Sequence, residues 1–283
     1  MEINGQTQLV GLIGWPVSHS FSPKMHNAAF ADLGLNWVYL PFPIAPNDVA
    51  TAVSGLFVSG VQGINITVPH KQAVMPLLDE IEDGAKAIGA INTIVKTENG
   101  RLVGHNTDWA GFLADLRAQD VAIADRDCLV LGAGGSARAI AYALAHAGGN
   151  VHILARRVEQ ATALVDDLAP YFANNVLQKR PLSDLSALAQ QCHAPLIVNT
   201  TPLGMTPNVD SSVWPEQLPF PQNSFVYDLV YNPTETKIMR QAKENRCGAS
   251  NGLGMLVHQG AIAFELWTGY KPNVQLMAET IHP

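Results

Sequence analysis

The sequence predicts an α/β chain of two domains with mainly parallel sheets. Three observations carry this. Short apolar runs alternate with helix-like segments along most of the chain. At 283 residues the chain is long for one domain and comfortable for two. A polar, charged stretch at 118–127 interrupts the alternation and reads as the first crossing between domains.

The elements follow in order. Residues 9–14 read as a first buried strand. Ser22-Pro23 opens a helix, with Ser22 as N-cap and Pro23 at the first helical position, where the missing N–H costs nothing. Residues 37–42 form a second strand, 48–57 a helix, and 61–67 a third strand stopped at Pro69. Residues 90–95 and 101–105 pair as a hairpin around Asn99-Gly100, since Asn-Gly suits the positive φ values of a two-residue turn. Beyond the crossing come a strand at 127–132, a helix at 136–147 and a strand at 151–155. Later strands fall at 196–199 and 225–230. The Pro-rich stretch 202–221 is expected as a surface loop. Residues 251–268 make a long apolar-periodic helix that returns to the first domain.

Composition limits the function classes. Apolar residues make up 47% and charged residues 14%, an ordinary globular balance with ample core material. A net charge of −7 speaks against nucleic-acid or anionic-membrane partners, which need clustered Lys and Arg. An anionic substrate would have to be attracted by local groups. Cys128, Cys192 and Cys247 are odd in number and form no CxxC, so a disulfide framework or zinc site is not expected and reduced thiols are. The first residues lack a basic n-region and an apolar h-region, and no apolar run reaches ~18 residues. A cytoplasmic, soluble chain is the expectation.

Gly132-Ala133-Gly134-Gly135-Ser136-Ala137 follows a strand and opens a helix, satisfying GxGxxA. The first Gly allows a tight turn, the second lets the backbone approach a pyrophosphate, and the Ala lets the helix pack closely. Helix N-terminal amides favour the anion. A glycine-rich turn with no ligand is the competing reading; the strand–turn–helix–strand context favours a Rossmann dinucleotide site. The next strand ends Ala155-Arg156-Arg157, where NAD enzymes carry an acid for the ribose 2′-hydroxyl. Two guanidinium groups suit a 2′-phosphate, so NADP is expected, with Arg156 the main contact and Arg157 a second clamp.

Short polar residues gather at predicted strand ends: 18–23, 65–71, 90–93 and 104–108. Ligands bind at such places in open α/β sheets. Lys71 and Asp108 are the charges among them. Reduction of a ketone by hydride leaves an alkoxide that needs a proton, and the reverse needs a base. A lysine beside a carboxylate serves both. Alone, each would read as a surface charge; the neighbouring hydroxyl and amide residues shift the reading toward a polyhydroxylated ligand. His19, His26, His70 and His105 match no compact metal pattern, and no metal is expected. The absence of GxSxG and of a Walker lysine speaks against acyl and P-loop phosphoryl transfer.

These strings together resemble the shikimate dehydrogenase family over nearly the whole chain: 14–23, 65–71, 89–93, 106–108, 132–137, 199–205, 228–233 and 252–260. The resemblance implies a substrate domain at 1–117, completed by C-terminal helices within 251–283, facing an NADP-binding Rossmann domain at 118–250 across an interdomain cleft. It implies reversible reduction of 3-dehydroshikimate to shikimate, on the route to chorismate and the aromatic amino acids. By motif position Ser20 and Ser22 would hold the substrate carboxylate. Thr67, Asn92 and Gln259 would bind the rest of the ring, with Tyr231 close by. Lys71 and Asp108 would be the catalytic pair and also touch substrate. Gly132, Ala133, Gly134, Gly135, Ser136, Ala137, Arg156, Arg157, Thr200, Leu229 and Gly252 would line the cofactor. The family usually shows Asn-Arg-Thr where this chain has Ala155-Arg156-Arg157: the central Arg is kept, while the Asn and Thr side chains are missing from the ribose-phosphate contacts. The implied partner is the small substrate, shikimate or 3-dehydroshikimate, with homodimer formation left open. Rival readings are an NAD-using quinate/shikimate dehydrogenase, an aminoshikimate-type relative, and a non-catalytic NADP-binding sensor.

Overall fold

The computed structural model describes residues 3–173 and 175–281. The chain forms two compact units, Met1–Gly111 with Leu256–Pro283, and Phe112–Met255. The unit limits fall inside two helices, α4 (Asp108–Ala118) and α9 (Leu253–Thr268).

The first unit carries β1 (Gln8–Gly14), α1 (Ser22–Asp32), β2 (Trp37–Pro43), α2 (Val49–Val58), β3 (Val61–Ile66), β4 (Glu80–Ile81), α3 (Asp83–Ile88), β5 (Thr93–Lys96) and β6 (Leu102–His105), with α10 (Val274–Glu279) near its end. Its sheet runs β2-β1-β3-β5-β6-β4. β1 is parallel to β2 and β3, and β5 is antiparallel to β3 and β6. This mixture decides where the polar strand ends meet. The registers Asn65↔Thr93 and Thr93↔His105 put the C-terminal ends of β3 and β6 beside the N-terminal end of β5. The C-terminal end of β1 joins them through Ile13↔Ile66. One core cluster runs under this sheet, through Ile13, Ile64, Ile66, Ile91 and Ile94. On the α1 side His26 is fully buried and stacks on Tyr39, with Phe264 and Trp267 also against it.

The second unit carries β7 (Asp127–Leu131), α5 (Gly135–His146), β8 (Asn150–Ala155), α6 (Val158–Leu168), β9 (Leu177–Pro181), α7 (Leu185–Gln191), β10 (Leu196–Asn199), β11 (Phe225–Asp228), α8 (Lys237–Glu244) and β12 (Gly248–Asn251). Its sheet is wholly parallel, in the order β12-β11-β10-β7-β8-β9. Counted from β7 this is the doubly wound order, and it reverses between β7 and β10. The crevice at such a switch point is where open α/β sheets bind ligands.

Several sequence expectations need correction. Ser22 does not cap α1: it is the first helical residue, Phe21 precedes it as N-cap, and no side chain caps the helix. The hairpin turn is not a two-residue Asn-Gly turn. The Gly100 N–H donates to Thr97 O, the Thr97 N–H donates to Arg101 O, and only Gly100 has positive φ, at 82°. That is a three-residue loop closed by a left-handed Gly. The stretch 202–221 has neither helix nor strand, yet it is not merely surface. Val213, Trp214, Leu218 and Phe220 are buried in the second unit's core, and Trp214 Nε1 donates to Leu218 O at 2.8 Å. The long helix starts at Leu253, after β12.

Candidate active site

In the first unit the site is built from the loops at the converging strand ends. Asp108 opens α4, where the helix N-terminus favours an anion. Its own N–H is held by Asn106 Oδ1 at 3.1 Å, and Asn106 Nδ2 donates to Ala90 O at 2.9 Å. Lys71 follows β3 by a short loop whose His70 is buried, with Nε2 2.7 Å from Ile44 O. Lys71 Nζ donates to Asp108 Oδ2 at 2.6 Å, with the side chains 20% and 11% exposed. The pair is therefore partly desolvated, yet open to a ligand. The other carboxylate oxygen, Oδ1, accepts from Asn92 Nδ2 at 2.8 Å.

Asn92 is almost wholly buried and connects most of the site. Its Oδ1 accepts the Thr107 N–H at 2.7 Å, and its Nδ2 also donates to Thr107 Oγ1 at 2.9 Å. Gln259, on α9, brings its Oε1 to 3.4 Å from Asn92 Nδ2 and Thr107 Oγ1, and gives an N–H to Leu256 O at 2.7 Å. Helix α9 approaches α4 closely because position 111 is Gly; a Cβ there would lie 2.6 Å from the Gln259 N. Thr67 lies at the mouth, its N–H tied to Ile13 O at 2.9 Å, and its methyl rests on Gly14, which has no Cβ to collide with it. The Ser20 hydroxyl accepts the Ser22 N–H at 3.2 Å. Lys71, Asn92, Asp108 and Gln259 are thus joined in one network, with Thr67 and Ser20 on neighbouring loops of the same strand edge and Ser22 at the start of α1.

Tyr231 lies in the second unit, just past β11, where burial raises its phenol above the ordinary range. The other residues expected around the cofactor lie in that unit too. Gly132 follows β7 with φ 117°, and a Cβ there would meet Thr200 Oγ1 at 2.5 Å. Thr200 follows β10 and donates its hydroxyl to Leu131 O at 2.8 Å, so the loops after β7 and β10 are pinned together at the switch point. Helix α5 starts at Gly135 with no side-chain cap. A Cβ at Gly134 or Gly135 would find nothing within 4 Å. Open space over uncapped helix amides fits a pyrophosphate. Ala137, by contrast, is fully buried against the sheet. Arg156 and Arg157 are exposed directly after β8, and Arg157 is the N-cap position of α6. Both are available to a phosphate beside that strand end. Leu229 donates its N–H to Asn199 O at 3.0 Å, and a Cβ on Gly252 would collide with Leu229 O, so these two positions touch.

Sequence reasoning missed some members. Thr107 braces Asn92 and Gln259, but its only signal was its place in Asn-Thr-Asp. Asp228 is fully buried and binds Asn199 Nδ2, the Val230 N–H and Thr236 Oγ1, ordering the loop that carries Leu229. Burial pushes its carboxyl up to about 6. Among the described residues no group of three or more His, Cys, Asp or Glu could hold a metal ion.

Comparisons with known proteins identify the family. A family description, "Shikimate dehydrogenase substrate binding domain", matches residues 12–94, and "Shikimate 5'-dehydrogenase C-terminal domain" matches 252–282. The chain is 44% identical to a shikimate dehydrogenase (NADP(+)) of Desulforamulus reducens, over 99% of this chain and 96% of the relative. It superimposes with a TM-score of 0.92 and 40% identity on a crystal structure of a shikimate dehydrogenase in complex with NADP+, covering 99% of this chain and 96% of that one. A shikimate 5-dehydrogenase of Thermus thermophilus, in complex with NADP(H) and shikimate, gives 0.87 and 36%, over 96% of this chain and 98% of that one.

Proposed function

This chain belongs to the shikimate dehydrogenase family, and on that premise we propose that Lys71 and Asp108 are the acid–base pair of its reaction. The protein catalyses the NADP-dependent, reversible reduction of 3-dehydroshikimate to shikimate, a step toward chorismate and the aromatic amino acids. The observation that carries the acid–base roles is the 2.6 Å contact between the two side chains, partly exposed at a strand edge otherwise lined by neutral donors and acceptors.

When bound, NADPH supplies the hydride. The glycine turn at 132–135 would hold its pyrophosphate, and Arg156 with Arg157 its 2′-phosphate. Thr200, Leu229 and Gly252 would line the rest. The chain's own residues manage the substrate and the proton. Ser20 and Ser22 hold the ring carboxylate. Thr67, Asn92 and Gln259 bind the ring hydroxyls and the surroundings of the carboxylate, and Tyr231 is assigned to the substrate as well. In reduction the Lys71 ammonium donates a proton to the oxygen that becomes an alkoxide. In oxidation the neutral amine takes that proton back. Asp108 accepts a ring hydroxyl and keeps Lys71 in place. Fixing these groups before reaction removes most of the orientational cost of the step.

The substrate-binding part is assigned to 1–117 with the C-terminal helices of 251–283, and the cofactor part to 118–250. A cytoplasmic location accompanies this reading, and a monomer and a homodimer are both compatible with it; none of the described helices is long and apolar enough to cross a membrane. Light scattering on the purified protein reads the assembly. The function itself is tested by initial rates with shikimate and quinate, each with NADP and NAD. Turnover of shikimate with NADP should dominate. Quinate oxidation with NAD as the fastest pairing would select the rival dehydrogenase, and cofactor binding without turnover would select a sensor.

A further inference from the structure

Beneath the Lys71–Asp108 pair lies a run of buried polar side chains that leads up to Asn92. Tyr39 and Thr93 are 0% exposed, Asn65 5% and Asn92 2%. Tyr39 OH lies 2.9 Å from Asn65 Oδ1, Asn65 Nδ2 lies 3.0 Å from Thr93 Oγ1, and Thr93 Oγ1 lies 3.0 Å from Asn92 Oδ1. Asn92 Nδ2 then meets Asp108 Oδ1 at 2.8 Å.

The direction of every link is fixed by groups that can act in only one way. Asn65 Nδ2 also donates to the Asn92 carbonyl at 3.2 Å, and a carbonyl only accepts. The Asn65 amide is therefore oriented with Oδ1 toward Tyr39, and the Tyr39 hydroxyl must donate. At the other end the Thr107 N–H, which only donates, sits 2.7 Å from Asn92 Oδ1. Asn92 Oδ1 is thus an acceptor, Thr93 must donate to it, and Thr93 Oγ1 accepts from Asn65. All donors point from Tyr39 toward Asp108. The chain ends on a carboxylate, which accepts without donating. Turning over the Asn92 amide would set its oxygen against the carboxylate and its NH2 against an N–H. Each bond in such a series polarises the next. His26, stacked on Tyr39 at 4.4 Å and 5° with both ring nitrogens unpartnered, holds the phenol plane by packing alone.

We propose that Tyr39, Asn65 and Thr93 are positioning residues for the acid–base pair, a one-way hydrogen-bond chain that locks the Asn92 amide toward Asp108 and so fixes the carboxylate that carries Lys71. The proposal rests on the catalytic roles given above to Lys71 and Asp108.

The test is steady-state kinetics of shikimate oxidation with NADP in the full-length protein. Thr93→Val keeps the shape and removes the hydroxyl. It should lower kcat about tenfold, the worth of one hydrogen bond bearing on a charged group, with KM for shikimate within about threefold. Thr93→Ser should restore most of that loss, which general loosening of the core would not allow. Tyr39→Phe, which removes only the hydroxyl from an intact ring stack, should lower kcat severalfold in the same pattern. It decides the matter if Thr93→Val fails to fold by circular dichroism. An unchanged kcat, a loss confined to KM, or a Thr93→Ser variant as slow as Thr93→Val would overturn the proposal. Lys71→Ala in the same series separates the two failures. If it too keeps full kcat, the acid–base assignment is wrong, whatever the chain does.

Discussion

His26 shows burial deciding the chemistry of an imidazole. With no polar partner and aromatic rings packed around it, the ring is held neutral, its pKa lowered from 6.5 to about 3 by desolvation. The unfolded chain binds a proton in that window and the native chain does not. This part of the stability is complete above about pH 6.5 and is lost as pH falls toward 3. Asp228 runs the other way. Its carboxyl is raised from 3.8 to about 6, so the native state holds the proton longer, and stability falls as pH rises through that window. Each pH unit is worth about 1.4 kcal/mol. Between pH 8 and pH 5, urea unfolding of the wild type should show a loss roughly 2 kcal/mol larger than that of His26→Phe. Asp228→Asn should lack the stabilisation that acidification from pH 6 to pH 4 gives the wild-type carboxyl. Parallel pH profiles for wild type and variant would refute either assignment. Arg156 offers a kinetic test of a single residue. Its loss in Arg156→Ala should raise KM for NADP roughly ten- to hundredfold, as for a charge-assisted bond, with KM for shikimate little changed. Unaltered NADP and NAD kinetics would remove it from the cofactor site.

At the scale of elements, glycines decide how closely helices and strands approach. Gly63 in β3 lies directly under the indole of Trp267 on α9, and Trp267 Nε1 donates to Ile94 O at 3.1 Å. A methyl at 63 would occupy the ring's place. Gly63→Ala should therefore cost about 2–4 kcal/mol, overpacking plus a lost hydrogen bond, read as a lower denaturant midpoint at constant m-value. A midpoint within error of wild type would show that the helix can shift freely. The central strands were legible because their apolar runs are buried on both faces, as at 128–131 and 196–198. β9 and β12 were not. Leu177–Pro181 and Gly248–Asn251 are half-exposed edge strands whose sequences, LQKRP and GASN, hold no apolar run. The capping signal at Ser22-Pro23 was read one residue late, because Ser22 is drawn into the helix and buried there. The Asn-Gly signal found the hairpin but not its turn. The Thr97 hydroxyl takes the Arg101 N–H at 3.0 Å and moves the closure outward by one residue.

For the whole molecule, topology does what composition cannot. The net charge of −7 gives no pull on an acidic substrate. The mixed sheet of the first unit nevertheless collects a lysine, an aspartate and several neutral donors at one edge, from segments far apart in sequence. The parallel sheet of the second unit puts its glycine turn at the switch point. Lys71, Asp108 and Asn92 could be named from strings at strand ends, because those strings are rich in short polar side chains, whereas Gln259, on α9, came from the family resemblance alone. Asn65 and Thr93 stand in those same strings but carried no sign of a role, and Tyr39 lies in an apolar strand; whom a strand's polar residue will face is set by the fold. The account turns on Lys71 as the proton donor and acceptor, and it is tested most directly by Lys71→Ala in NADP-dependent shikimate oxidation, with shikimate affinity measured alongside by calorimetry. The expected result is a fall in kcat of about 10²–10⁴, the usual worth of general acid–base catalysis, with affinity within severalfold of wild type. A variant that kept its kcat and lost only affinity would contradict it.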